Sequence, residues 1–293
     1  MKTFGNYHPA VLACYFISVL LIAMFVWNPV IQLSALTGAI FFCVALIGGR
    51  KFFKEMLFYI PFFILVSVTN PLFSHNGETP LFFMNGNPVT LEAIAYGAAI
   101  GVMVMGVMLW CKCMSMVMTS DKILYILGGR IPGISLILSM ALRFIPMFVR
   151  QTGKVNAAQK TMGLYSKGGI ADKAGGGMRV MSSMITYSLE NAVDVSASMK
   201  SRGYGTGKRT SFFPFKFTKK DLILLLALFL LVPTVLVGVA SGKTDFHYYP
   251  KISYLNISLF SVIAYSAYVI LAFLPFVLQV KEEIKWKFLI SKI

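Results

Sequence analysis

The chain is poor in acid. Its 293 residues hold 11 Asp and Glu against 27 Lys and Arg, and only 13% of all residues are charged. Histidine and cysteine are sparse as well, at 3 and 4. His8, His75 and His247 are scattered and share no ligand spacing with Cys, Asp or Glu, so no metal centre is expected. Cys111 and Cys113 stand two apart, and a helix would point them in different directions. With Cys14 and Cys43 they fall in apolar runs, and core packing is the expected role of all four. No G-x-x-x-x-G-K-S/T loop occurs. Gly207-Lys208-Arg209-Thr210 lacks both the upstream glycine and the Lys-Ser/Thr order, so no ATP site of the P-loop kind is expected. A Ser/His/Asp set, an H-E-x-x-H and a carboxylate pair in a plausible pocket are missing too. An enzyme is therefore not expected, and no cofactor is implied.

What is abundant is apolar surface. At 57% hydrophobic residues and a mean hydropathy of +0.74, the composition is that of an integral membrane protein. In such a chain the formal charge of +16 reports Lys/Arg-rich cytoplasmic segments rather than nucleic acid. Runs long enough to span, or nearly so, cover residues 11–27, 30–47, 56–69, 91–118, 222–240 and 254–278. The first has no small-x-small cleavage pattern behind it and reads as a retained helix. Pro29 is expected to force a tight turn between the first two. The third is short, with Lys54 and Glu55 snorkelling at its start. Glu92 and Lys112 are the only charges inside the runs, and snorkelling from helix ends accounts for both. No ionisable relay of the kind a proton- or sodium-coupled transporter carries is present.

Charge sets the topology. Arg50, Lys51 and Lys54 follow the second run and place that end in the cytoplasm, whereas residues 70–90 hold no Lys or Arg and lie outside. Residues 119–220 carry sixteen Lys and Arg against four acids and lie inside. Six spans then leave both termini cytoplasmic. The expected architecture is all-α: transmembrane helices 1–4 over residues 1–118, a cytoplasmic or interfacial helical region over 119–220, helices 5–6 over 221–280, and a cytoplasmic tail over 281–293.

The region 119–220 reads as three helices, over 120–127, 134–162 and 178–199, divided by Pro132-Gly133, by Gly168-Gly169 and by Gly175-Gly176-Gly177. In the second, Arg143, Arg150 and Lys154 fall at i, i+7 and i+11, one basic face on an apolar helix, and Pro146 would bend it. That pattern suits a helix lying in or under the membrane interface; a re-entrant or seventh span is the alternative. In the third, Met184/Ile185, Leu189, Ala192, Val195 and Met199 form one apolar stripe, with Ser183, Glu190, Asn191, Asp194 and Ser198 opposite. Lys200 and Arg202 occupy its last turn, where cations suit the helix dipole, and Gly203 follows as a stop. Arg202 is by itself equally consistent with a solvated helix end.

The motifs are more specific in combination. M-A-L-R-F-I-P at 140–146, A-A-Q at 157–159 leading to Gly163, S-M-K-S-R-G-Y at 198–204 and K-R-T at 208–210 resemble the T component of energy-coupling factor (ECF) vitamin transporters. T-N-P-L-F at 69–73, V-T-L-E at 89–92 and T-S-D at 119–121 also look like that family. The resemblance covers most of the chain and is densest from 119 to 210. It implies a multi-pass protein of the cell membrane that joins two ABC-type ATPases to one substrate-binding S component in vitamin or micronutrient uptake. In that family two coupling helices end in Ala-Arg-Gly-like motifs that dock in the ATPases. Carried over, the second motif is Ser201-Arg202-Gly203. The first is Thr161-Met162-Gly163 preceded by Lys160, where methionine stands at the arginine position; either Lys160 substitutes as the cation or that contact is mainly apolar. Two other readings compete with a coupling subunit: a self-sufficient channel or carrier with a basic loop, and a membrane enzyme whose Arg143, Arg150 and Lys154 hold an anionic lipid.

Overall fold

The computed structural model describes residues 3–74, 76–84, 87–163, 169–207, 215–254 and 257–290. After a short 3-10 helix, Thr3–Asn6, come α1 (Pro9–Phe25), α2 (Pro29–Ile47) and α3 (Gly49–Phe73). A hairpin of β1 (Pro80–Met84) and β2 (Asn87–Thr90) leads into α4 (Leu91–Val117). Then follow α5 (Ser120–Arg130), α6 (Pro132–Thr161), α7 (Ile170–Ser201), α8 (Lys219–Ala240) and α9 (Leu259–Ile290). The protein is an all-α integral membrane protein. Among the described residues, α2, α3, α4, α6 from Gly133, α8 and α9 are long and apolar enough to cross a bilayer, and α1 is a shorter apolar helix of 17 residues.

The chain forms two compact units, residues 1–122 with 215–293, and residues 123–214. In the first, α4 packs against α2, α3 and α1, and α9 packs against α2 and α8. Helices approach closely because small residues line their contacts. A Cβ on Gly97 would lie 2.4 Å from the Ser67 carbonyl oxygen, and one on Gly101 2.4 Å from the Ser67 hydroxyl, so this small-xxx-small pair brings α4 onto α3. Gly38 meets Ala272 and Gly238 meets Ala264 in the same manner. Trp110 sits at the centre, edge-on to Tyr15 and Phe16, with its indole N–H donating to the Ala35 carbonyl at 2.9 Å.

Buried polar groups tie the ends of the helices. The Asp221 carboxylate accepts from the His8 backbone N–H at 2.7 Å and from the Thr218 backbone N–H at 2.8 Å, joining the starts of α1 and α8. Lys122 is buried and donates to the carbonyls of Gly5 and Val117, fastening the chain's first residues to the end of α4.

Several expectations change. Pro29 is the first residue of α2 behind an Asn28 cap, with the Val30 N–H donating to the Asn28 side chain at 3.0 Å; its lost N–H would be unpaired there anyway. The third span is 25 residues long rather than 14, because the helix already includes Lys51, Lys54 and Glu55 and carries on past Pro71 to Phe73. Lys112 does not snorkel: it pairs with Glu55 of α3. Glu92 is buried and takes the Thr79 hydroxyl at 2.7 Å, so it fastens the segment before the hairpin to α4. Cys43 and Cys113 are buried, but Cys14 and Cys111 are exposed on their helices, as residues of a lipid-facing surface are. The three glycines 175–177 lie inside α7 rather than ahead of it, with Gly176 buried; the break falls before Ile170, and Gly168 lies outside the described residues. The last helix starts at Leu259 and continues to Ile290 through the expected tail, steadied by Lys220–Glu282 at 3.1 Å.

Candidate functional site: two helix tips

Within the second unit α6 and α7 pack on each other. Phe148 follows Phe144 on α6 at 5.8 Å and meets Tyr187 of α7 edge-on at 6.3 Å. From Met184 onward the half-buried positions of α7 are Met184, Tyr187, Ser188, Asn191, Val195 and Met199. This corrects the expected stripe. Ile185, Leu189 and Ala192 are exposed, while Asn191, expected on the polar side, turns inward. Met178, Met181, Ile185, Leu189 and Val193 form an exposed apolar row at helical spacing, which the single apolar stripe expected from the sequence does not resolve.

The two helices end alike. On α7, Ser201 is the last helical residue, Arg202 the cap at φ −82° and ψ 7°, and Gly203 lies at φ +76°. The Gly203 N–H donates to Lys200 and the Tyr204 N–H to Met199, a Schellman ending. On α6, Thr161 is last, Met162 caps at φ −82° and ψ 10°, and Gly163 lies at φ +82° with its N–H donating to Lys160. Each motif's hydroxyl donates back to the carbonyl three residues earlier, Ser201 to Ser198 at 2.9 Å and Thr161 to Ala158 at 2.7 Å. Lys160 thus stands where Lys200 stands, and Met162 where Arg202 stands. In this register Lys160 matches Lys200 rather than Arg202, and a lysine recurs at both tips. The recurrence Lys-Thr-Met-Gly and Lys-Ser-Arg-Gly is visible in the sequence once the register is known.

Both tips are exposed, Met162 to 80%. Arg202 makes no ion pair among the described residues, nor do Arg143, Arg150 and Lys154, all exposed on α6. Met162 lies fourteen residues beyond Phe148 and Arg202 fifteen beyond Tyr187, which sets both tips about 21–22 Å from the aromatic contact. The eight residue steps from Met162 to Ile170 reach at most about 27 Å, so the start of α7 must lie near the tip of α6. Its other end then points away, and the tips are at least about 35 Å apart. Two like-capped ends of unlike chemistry, one cationic and one apolar, face apart.

A multi-pass helical membrane protein whose second unit carries two exposed, like-capped helix ends is thereby defined. Comparison with known proteins names its family. Residues 2–212 match the CbiQ family, described as cobalt transport protein, and the chain belongs to it. That agrees with the resemblance to T components drawn from the motifs. The chain is 37% identical over 106 residues to the energy-coupling factor transporter transmembrane protein EcfT of Lactobacillus helveticus, a match covering 36% of this chain and 38% of the relative. It is 26% identical over 176 residues to the Staphylococcus aureus EcfT, covering 56% of this chain and 66% of that one. The match to the Lactococcus lactis EcfT is 29% over 100 residues, 33% of this chain and 38% of the relative. The matches thus span 38% of the length of the Lactobacillus helveticus and Lactococcus lactis proteins and 66% of the Staphylococcus aureus one.

Proposed function

We propose that this chain is the transmembrane coupling subunit of an ECF-type ABC importer, passing ATP-driven motion of two cytoplasmic ATPases to one substrate-binding S component for uptake of a vitamin or micronutrient. The observation that carries the reading is the pair of tips: like-capped, exposed, and too far apart for one groove to take both. A single Arg on a rigid helix end between small Ser201 and Gly203 enters a narrow groove and pairs with a carboxylate there. Met162, flanked by Thr161 and Gly163, enters an apolar one and adapts to its shape. The exposed row from Met178 to Val193 is the surface that the membrane or the S component covers. Arg143, Arg150 and Lys154 face anionic headgroups at the cytoplasmic leaflet. In this reading 119–220 lies in the cytoplasm with both termini, as the Lys/Arg bias argues, and the subunit has no catalysis of its own.

Affinity purification of the tagged chain from its host in mild detergent tests this. ABC-type ATPase chains and a small hydrophobic protein are expected alongside it. A chain that purifies alone and, reconstituted alone into vesicles, still moves solute is a self-sufficient carrier, and that outcome overturns the proposal.

A further inference from the structure

The membrane-embedded unit holds a cavity of about 480 Å³ that the coupling role does not use. It lies where α1 and α8 end and α4 begins, and it is walled by aromatic rings. Trp27 and Tyr96 stack at 5.4 Å with their planes 17° apart. Tyr96 then meets Tyr248 at 5.5 Å and Tyr249 at 5.2 Å. The walls are pinned: Asn28 donates to the Thr244 carbonyl at 2.9 Å, and Asn70 to the Tyr249 hydroxyl at 3.4 Å. Asp245 adds a carboxylate to this lining and has no ion pair among the described residues. The lysines nearest to it in the loop are occupied elsewhere. Lys243 stands over the Phe260 ring at 4.2 Å, and Lys251 is held by Glu78 at 2.7 Å.

We propose that this cavity binds an organic ammonium group, held over the aromatic faces with Asp245 as counter-ion. Ring faces carry negative potential and attract a diffuse, weakly hydrated cation at close range. A metal ion would instead need several converging ligands, and no group of three His, Cys, Asp or Glu residues that could hold one occurs among the described residues. The volume falls within the range of small-molecule sites and exceeds what an inorganic ion fills. The same chemistry is offered by a free small cation and by an ammonium-bearing lipid headgroup at the membrane surface.

The test is a titration of the full-length chain in detergent at one fixed pH. Tetramethylammonium chloride is added against sodium chloride at equal ionic strength, and the emission of Trp27 is read as the difference from a Trp27→Phe sample. A saturable response to tetramethylammonium alone is expected, weakened at least about tenfold in Tyr96→Leu and in Asp245→Asn. Asp245 is exposed, so its substitution leaves the fold intact. Repeating the titration in nanodiscs separates the two sources. A response lost in phosphatidylethanolamine discs but kept in phosphatidylglycerol discs assigns the site to a headgroup; a response kept in both assigns it to a free cation. No saturable response, or one that Asp245→Asn leaves unchanged, overturns the proposal and makes these rings an interfacial aromatic belt only.

Discussion

At the scale of single residues, the difference between Arg202 and Met162 is one of chemistry on an equal backbone. Both cap a helix at the same dihedral angles before a left-handed glycine. Arg202→Glu is expected to abolish ATPase association and transport, because truncating one member of a desolvated pair already costs about 2–5 kcal/mol and reversal costs more. Met162→Ala removes apolar contact alone, about 1–3 kcal/mol, and partial transport is expected to remain. Met162→Arg, which gives α6 the ending of α7, is expected to dock at least as well where its groove holds an acid. Pull-down of the ATPases by the three variants measures this series. Wild-type recovery with Arg202→Glu would reduce Ser201-Arg202-Gly203 to a helix cap. Equal damage from Met162→Ala and Arg202→Glu would remove the asymmetry and leave the coupling role standing. Gly203→Ala places a Cβ at φ +76° and is expected to loosen the ending of α7 by about 1–2 kcal/mol, read as weaker docking with an unchanged membrane unit.

At the scale of elements, lipid offers no hydrophobic drive for one helix to leave it for another, so close packing carries the association. The α3–α4 contact is the clearest case. At Gly97 a Cβ would strike backbone 2.4 Å away, which no side-chain rotation relieves, whereas at Gly106 the nearest atom is 3.7 Å off. Gly97→Val is therefore expected to destabilise the membrane unit by about 1–3 kcal/mol or more, and Gly106→Ala to leave it nearly unchanged. Thermal unfolding of the two variants in one detergent compares them. A Gly97→Val protein as stable as the parent would mean that α3 is not held through this seam. Because α3 also carries Glu55 against Lys112, a displaced helix would leave both charges without their partner in an apolar setting, which adds to the cost.

At the scale of the whole molecule, the Lys/Arg bias makes a statement about sidedness. Single cysteines in place of Lys208 and Asn76, in a chain lacking its four native cysteines, are expected to be labelled by an impermeant reagent from opposite faces of the membrane, Lys208→Cys from the cytoplasmic one. Labelling of both from one face would overturn the topology. The purified chain is also expected neither to bind nor to hydrolyse ATP, since its sequence holds no P-loop of the G-x-x-x-x-G-K-S/T kind. Turnover by a contaminant-free preparation would sink the coupling-subunit reading.

The all-α membrane class and the identity of most helices were legible in the sequence, because bilayer thickness sets a length for apolar runs that no soluble fold imposes. The motif Ser201-Arg202-Gly203 was legible too, since helix endings are local and glycine marks them. Partners across space were not. The pairing of Lys112 with Glu55, the burial of Glu92 and the inward turn of Asn191 depend on which helix lies opposite, and apolar periodicity is weak guidance where lipid and protein interior are equally apolar. Local composition also misplaced the start of α7, because three glycines read as a break. Each costs only about 1 kcal/mol in a helix, which packing that buries Gly176 and Val180 outweighs. Only the packing of α6 on α7, with Phe148 against Tyr187, decided that the two tips stand apart. It alone also gathered Trp27, Tyr96, Asp245 and Tyr249 around one cavity, since that takes the ends of three helices that meet only when the bundle closes.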